Sequence, residues 1–263
     1  MRPIIVANWK MNTTLAEATI LASSIISGLR DFSGAKVVLC PPSIWLEPIA
    51  EIIKKRLSHI ELGIQNIYYR DEGPYTGEIS PFMVKKICSF AIIGHSERRV
   101  HFQEDNEIIN HKIHAALRNG LKPIFCVGEF KKLSTSPASG WRTKSDKSQK
   151  EILDNINKQL SQGLEGISKN EIKDVIIAYE PVWAIGTGKN APGDHVGEVI
   201  KNIRNRLATI YNREIADDTK ILYGGSADSD NAENYLKRPG VDGLLVGGAC
   251  LQAKEFIKIC KIV

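Results

Sequence analysis

The sequence contains little cysteine, and its cysteines are far apart. Only five of the 263 residues are Cys, an odd number without a C-x-x-C pair. This pattern argues against a disulfide framework and favours a reducing compartment. No apolar run approaches the ~18 residues that span a bilayer, and the polar residues that follow the opening MRPIIVANWKMN argue against a signal peptide. We therefore expect a soluble, cytoplasmic protein that binds no membrane.

Strong charge of one sign is also lacking over most of the chain. The formal net charge is +5, and residues 130–150 account for it, because they hold six Lys or Arg side chains and a single Asp. A basic segment that contains Trp141 could be read as a nucleic-acid patch. No nucleic-acid-binding motif accompanies it, so we interpret it as a solvated loop and expect no nucleic-acid partner.

A G-x-G-x-x-G dinucleotide motif after the first strand is absent, which argues against an open doubly wound sheet. Eight short apolar runs are present instead, each followed by a longer helix-like stretch. Continuous rather than alternating apolar runs indicate strands buried on both faces, as in parallel sheets. The sequence therefore predicts the α/β class and a closed (β/α)8 barrel, a single domain over residues 1–263. The runs are Ile4–Ala7, Val37–Cys40, Ile60–Ile64, Phe90–Ile93, Pro123–Val127, Val175–Tyr179, Lys220–Tyr223 and Gly243–Val246.

Polar groups follow most of the predicted strands. In barrels of this type the carboxyl ends of the strands carry the active site, so these groups are candidates for chemistry. Taken singly, Lys10 could be a surface lysine, His95 a structural histidine and Glu180 half of a salt bridge. Their shared position at one end of the barrel favours a function. The candidates are Asn8, Lys10, Gly94–Glu97, Cys126–Glu129, Glu180, Gly224–Ser226 and Gly247–Gly248.

Seven ordered motifs resemble those of the triosephosphate isomerase family. They are ANWKMN (7–12), TGEIS (76–80), IIGHSERR (92–99), CVGE (126–129), AYEPVWAIGTGK (178–189), YGGS (223–226) and LVGGA (245–249). The resemblance covers nearly the whole chain. It implies a glycolytic and gluconeogenic isomerase that interconverts D-glyceraldehyde 3-phosphate and dihydroxyacetone phosphate without a cofactor or a metal. Relatives that isomerise a four-carbon ketose phosphate, erythrulose phosphate, share the same catalytic set, so that substrate remains an alternative.

The resemblance also implies roles for individual residues. Glu180 is expected to be the base and His95 the neutral electrophile, a pairing for which this family is itself the worked case. Lys10 would supply positive charge to the enediolate, and Asn8 would orient the substrate oxygens. Glu97 would either pair with Lys10 or serve as an acidic residue at a helix start. The other supporting positions are Ser96, Cys126, Glu129, Trp183 and Tyr223.

Glycines after the last two predicted strands suggest a phosphate site. Backbone N–H groups approach an anion closely where no Cβ intervenes. The expected phosphate ligands are Ser226, Gly247 and Gly248, together with Gly186 of a lid over Pro181–Ala191. Such a lid would exclude water, because an enediolate phosphate loses its phosphate in water.

A loop after the third strand, Gly73–Ile79, is expected from the resemblance to form a homodimer interface, with Thr76 reaching the partner's site. Some stretches depart from the usual family pattern, among them Pro74-Tyr75 and Ala227-Asp228-Ser229. A metal-dependent sugar-phosphate epimerase is a rival interpretation, because His111 and His114 have a spacing that zinc ligands use. We expect them instead on an outer helix, away from the strand ends. A binding module without catalysis is a second rival, disfavoured because Glu180, His95 and Lys10 are all present.

Overall fold

The structure, a computed structural model, describes residues 2–129, 149–182 and 191–263. Eight parallel strands form a closed barrel in which each strand pairs with the next and the last pairs with the first. The predicted fold class and all eight predicted strands are therefore confirmed, with bounds that differ by one residue at some ends. The strands are β1 (Ile4–Asn8), β2 (Lys36–Cys40), β3 (Glu61–Ile64), β4 (Phe90–Ile93), β5 (Lys122–Gly128), β6 (Ile176–Glu180), β7 (Lys220–Tyr223) and β8 (Gly243–Val246).

Helices of the described residues surround the barrel. Several begin with side chains that satisfy free backbone N–H groups: Thr14 and Glu17 form a capping box at the first helix, and Asp105 caps the fifth. The fifth helix ends at Arg118, directly before Asn119 and Gly120. The helices are α1 (Leu15–Gly28), α2 (Leu46–Lys55), α3 (Pro81–Val84), α4 (Ser96–His101), α5 (Asn106–Arg118), α6 (Gln149–Gly163), α7 (Gly193–Ile210), α8 (Arg213–Asp218), α9 (Ala232–Leu236) and α10 (Ala253–Lys261).

The strands are buried on both faces, which explains their unbroken apolar sequences. Alternate residues of a strand point to opposite faces. In β1, Ile4 and Val6 pack in the barrel interior against residues of other strands. Ile5 and Ala7 pack in the outer core, between the strands and the helices. A side chain at a strand end therefore enters the barrel mouth or the helical layer according to its position in this alternation.

The predicted basic loop at residues 130–150 lies mostly outside the described residues, and Gln149 and Lys150 belong to the first turn of α6. All five cysteines are buried and unpaired. Within the part of the chain that the structure describes, no helix is long and apolar enough to cross a membrane.

Candidate active site

The strand alternation directs two of the candidate residues into the mouth of the barrel. Ile176 and Ala178 of β6 lie in the barrel interior, so Glu180, two residues further on, points the same way. Asn8 follows Ile4 and Val6 in β1 by the same rule. Both side chains are almost completely buried, Asn8 with 5% and Glu180 with 0% of its surface exposed.

The Glu180 carboxylate lies against the start of α4. Its Oε2 accepts a hydrogen bond of 2.8 Å from the backbone N–H of Ser96. Its Oε1 lies 3.0 Å from Nε2 of His95, although this contact falls outside hydrogen-bond geometry and Oε1 makes no hydrogen bond within the described residues. A buried carboxylate with one free oxygen is a group able to accept a proton.

The imidazole of His95 is held in one tautomer. His95 caps α4, and its Nδ1 accepts a hydrogen bond of 3.2 Å from the backbone N–H of Glu97. A ring nitrogen that accepts cannot carry a proton, so the proton of the neutral ring is on Nε2. Nε2–H therefore points into the barrel mouth, where it can donate to a substrate oxygen.

Lys10 adopts an unusual backbone conformation beside these groups. Its φ is 52°, in the left-handed region that residues other than glycine rarely occupy. Its N–H donates to Oδ1 of Asn8 over 3.1 Å, and its carbonyl accepts 2.9 Å from the amide of Gln65. Its ammonium lies 2.5 Å from Glu97, the pairing that we expected as one of two roles for Glu97. Strain that is held by surrounding contacts in this way is common at functional sites.

Burial and charge shift the carboxyl groups in opposite directions. Burial raises the pKa of Glu180 above its ordinary value, although His95, the Ser96 N–H, Lys10 and Arg99 all oppose that rise. Burial also acts on Glu97, but the hydrogen bond from Lys10 and the nearby positive charges lower its pKa overall. Glu180 is consequently the more basic of the two carboxylates, and Glu97 stays charged to hold Lys10 in place.

A cavity of about 330 Å³ opens beside these side chains. Small residues from the ends of β7 and β8 form one side of it, and Asn8, Lys10 and His95 form another. The small residues leave backbone N–H groups accessible, as an anion such as phosphate requires. The lining from β7 and β8 comprises Gly224, Gly225, Ser226, Ala227, Asp228, Leu245, Gly247, Gly248 and Ala249.

Three positioning side chains were missed by the sequence analysis. Arg99 donates to the carbonyls of Gly94 and Cys126 over 2.8 and 3.1 Å, and burial lowers its pKa to about 10. Gln159 of α6 binds both backbone polar groups of Gly128, and Gln65 binds Lys10. Two of them carried a usable signal: Gln65 directly follows β3 at the end of the barrel that holds the site, and Arg99 ends the motif IIGHSERR.

The remaining predicted residues divide into placed and unplaced ones. Tyr223 is buried and stacks on Tyr235 with ring centroids 3.9 Å apart. Cys126 lies in the barrel interior, where burial raises the pKa of its thiol, so it is an unreactive packing residue. The lid positions Trp183 and Gly186 fall outside the described residues. His111 and His114 lie on α5, as expected, where His111 contacts the ring of Tyr69 and His114 lies 3.0 Å from the carbonyl of Glu165.

The fold and the site together define a class of protein. It is a (β/α)8 barrel that presents a carboxylate, an imidazole and an ammonium at its strand ends, beside a glycine-lined pocket. The family model described as triosephosphate isomerase matches residues 3–263. The chain belongs to the triosephosphate isomerase family.

Individual relatives agree with this assignment over their full length. The chain is 44% identical over 259 residues to a triosephosphate isomerase of Caldanaerobacter subterraneus subsp. tengcongensis, covering 98% of each chain. It is 42% identical over 261 residues to one from Dictyoglomus thermophilum, covering 99% of each. The crystal structure of triosephosphate isomerase from Bartonella henselae superposes with a TM-score of 0.84 at 35% identity, over 100% of this chain and 99% of that one.

Proposed function

We propose that this protein interconverts D-glyceraldehyde 3-phosphate and dihydroxyacetone phosphate by proton transfer through an enediolate. Family membership supports the reaction. The observation that carries it is the placement of the Glu180 carboxylate 3.0 Å from Nε2 of His95, next to a cavity that a small phosphorylated sugar can enter. Moving a proton between two carbons needs a base for carbon and a donor for oxygen, and this pair supplies both.

Glu180 takes the proton from carbon in this proposal. Its carboxylate is fully buried and bound to the Ser96 N–H, whereas the residues that line the cavity come from other strands. The side chain must therefore turn away from Ser96 to reach a bound substrate. In the observed position burial raises the pKa of the carboxyl group, which makes this carboxylate a stronger base than an exposed glutamate.

His95 and Lys10 act on the oxygens. The Nε2–H of His95 donates to the carbonyl oxygen and polarises it, and the same nitrogen can move a proton between the two neighbouring oxygens of the enediolate. The Lys10 ammonium, held by Glu97 at 2.5 Å, lies where negative charge develops. Asn8 fixes the Lys10 backbone and lines the cavity, from which position it orients the substrate.

The phosphate is bound at the side of the cavity that the ends of β7 and β8 form, within reach of Lys10. Ser226, Gly247 and Gly248 lie at the ends of β7 and β8, and all three line the cavity. A Cβ added at Gly247 would lie 3.5 Å from Cε of Lys10, so a larger side chain would occupy space beside the ammonium. Glycine keeps this space free for an anion that contacts both the backbone and Lys10.

A coupled assay tests the proposal. Wild-type protein should convert D-glyceraldehyde 3-phosphate with a kcat/KM that exceeds its value for erythrulose phosphate by more than tenfold. His95→Gln should reduce turnover of both. A preference for the four-carbon substrate, or turnover that is unaffected by the His95 change, would refute the assignment.

We also propose that the protein is a cytoplasmic homodimer that uses the loop Gly73–Ile79. Large apolar side chains are exposed on and near this loop, with Tyr75 37%, Phe82 57% and Met83 63% exposed. Contiguous exposed apolar side chains are typical of interaction sites. The loop is internally ordered by hydrogen bonds, including one of 3.0 Å from the N–H of Glu78 to the carbonyl of Tyr75. Five unpaired cysteines support a reducing compartment.

A further inference from the structure

A cluster of three polar side chains lies next to the base but takes no part in the proposed chemistry. The Tyr179 hydroxyl donates to Oε1 of Glu129 over 2.5 Å. Nε2 of His195 lies 3.0 Å from the same Oε1 and 3.1 Å from the Tyr179 oxygen. The side chains of Glu129 and His195 are 6% and 19% exposed, so the contacts are largely shielded from solvent.

The cluster joins the chain on both sides of residues 183–190. Tyr179 precedes that segment in β6, and His195 follows it in the first turn of α7. Glu129 bridges the two from the end of β5. The end of β6 and the start of α7 therefore both contact one carboxylate, that of Glu129.

The cluster is also coupled directly to the backbone of the base. Gly128, next to Glu129, is the register partner of Glu180 between β5 and β6. A Cβ at Gly128 would lie 2.1 Å from the carbonyl oxygen of Glu180, so the two backbones are in close contact. The amide of Gln159 fixes both polar groups of Gly128, with distances of 3.0 and 2.7 Å. A shift of Glu129 would consequently be transmitted to the strand end that carries Glu180.

Charged and titratable groups from three elements, β5, β6 and α7, surround His195. Glu129 faces it from β5 and Tyr179 from β6, and Glu198 lies on α7 itself, where it accepts a hydrogen bond from Gln149 of α6. Asp194 on the same turn is paired with Arg238 at 2.8 Å. The hydrogen bond that the His195 ring donates to the Glu129 carboxylate, against the effect of burial, raises the pKa of His195 above its ordinary value of 6.5. The charged imidazolium pair is thus complete below pH 6.5 and is lost as pH rises through the raised value.

We propose that His195 is a positioning residue for Glu180. The imidazolium of His195 holds the start of α7 against Glu129 and Tyr179 and thereby fixes the end of β6. This inference rests on the proposed function. The catalytic groups need accurate placement, because a displacement of ~1 Å can reduce a rate ~10²-fold. The substrate contacts at Gly247 and Gly248 follow β8, which does not pair with β6, so placement should affect kcat more than KM.

The test compares His195→Gln and His195→Phe with the parent from pH 6 to pH 9. Gln keeps an N–H donor without a titrating charge, whereas Phe removes the donor. A charge-assisted hydrogen bond is about twice as strong as a neutral one, so the parent should exceed His195→Gln in kcat by about fivefold at pH 6 and equal it at pH 9. His195→Phe should be about tenfold slower at all pH values, with KM within twofold. The control is His114→Phe, which removes an imidazole from α5 that contacts the carbonyl of Glu165, and it should match the parent.

A second readout does not depend on catalysis. NMR titration of the ring carbons should give His195 a pKa above 6.5 in the parent and a lower one in Glu129→Gln. Circular dichroism establishes whether each variant is folded. If His195→Phe is unfolded, the pH dependence of kcat in His195→Gln tests the proposal. A parent-to-Gln ratio of kcat that does not change with pH, or an effect confined to KM, overturns the proposal. If the parent itself does not turn over the triose phosphate, the proposed function fails, and the titration still reports on the cluster.

Discussion

The two ends of the barrel use polar groups in opposite ways. At the amino end, Arg204 donates to the carbonyls of Ala216 and Gly240 over 2.6 and 2.8 Å and pairs with Asp242 at 2.9 Å. At the carboxyl end, one oxygen of Glu180 makes no hydrogen bond within the described residues, and Lys10 holds a left-handed φ of 52°. Groups at the amino end satisfy one another, whereas those at the carboxyl end are kept in unfavourable states that a substrate can exploit. The first arrangement stabilises the barrel and the second supports its chemistry.

The largest expected effect follows from moving the base. Glu180→Asp shortens the side chain by a methylene and should lower kcat about 10²-fold while KM stays within about twofold, because the reach of the base changes and the substrate contacts do not. Steady-state kinetics in both directions measure it. Glu233→Asp is the matched control, since Glu233 pairs with Lys237 on the exposed surface of α9. Turnover of Glu180→Asp within about twofold of the parent would mean that Glu180 is not the base.

A second large effect is expected from the loop Gly73–Ile79. Thr76 is exposed on this loop, and an Arg there should disrupt the proposed dimer and lower kcat about tenfold, because a lone barrel loses packing that positions Lys10 and His95. Specific activity should also fall on dilution, since mass action then sets the active fraction.

Light scattering combined with activity over a dilution series measures both quantities. Thr209→Arg, which places the same charge on an exposed position of α7, should leave them unchanged. A fully active monomer of Thr76→Arg would show that each barrel maintains its own site.

An intermediate effect, on stability alone, is expected at the amino end. Arg204→Met removes one cationic partner of Asp242 and the donor to several carbonyls. It should lower the free energy of unfolding by about 2 kcal/mol, because partly buried acceptors lose their hydrogen-bond donor while Lys220 remains 3.4 Å from Asp242. Urea unfolding measures this value, and kcat should stay within about twofold. Arg213→Met, whose pair with Asp217 is exposed, should cost less than about 1 kcal/mol. A loss of kcat in folded Arg204→Met would remove the distinction between the two ends.

The smallest effect is the loss of folding stability that the buried charge of Glu180 causes. Burial raises the pKa of Glu180, so its charged form destabilises the folded state. This penalty is absent below the ordinary value of 4.5, grows as pH rises from there towards the raised folded value, and is constant above it. The melting temperature of Glu180→Gln relative to the parent should therefore increase from pH 4 to pH 8. Glu255→Gln should show the opposite trend or none, because a hydrogen bond from the Ser229 N–H lowers the pKa of Glu255. A difference for Glu180→Gln that stays constant over this range contradicts the assignment of a costly buried charge.

Much of the fold was predictable because strands buried on both faces have a distinctive sequence. The apolar run Phe90–Ile93 coincides with β4, and Lys220–Tyr223 coincides with β7. Candidate side chains such as Asn8 and Glu180 were also predictable, since they end such runs and parallel strands place all their carboxyl ends together. The pairing of Lys10 with Glu97 could be anticipated from the resemblance, but the left-handed backbone at Lys10 could not.

What the sequence determined by itself was the set of eight strands, their parallel arrangement and the reactive groups at their ends, because these follow from local burial patterns and from residues adjacent to them. The tertiary structure alone decided which distant side chains hold those groups. Gln65, Arg99, Gln159 and His195 each act on a residue far away in the chain, through contacts with Lys10, Cys126, Gly128 and Glu129 respectively. The local sequence around a polar side chain does not reveal its partner, since the partner is fixed only when the barrel closes and brings separate strand ends within hydrogen-bonding distance.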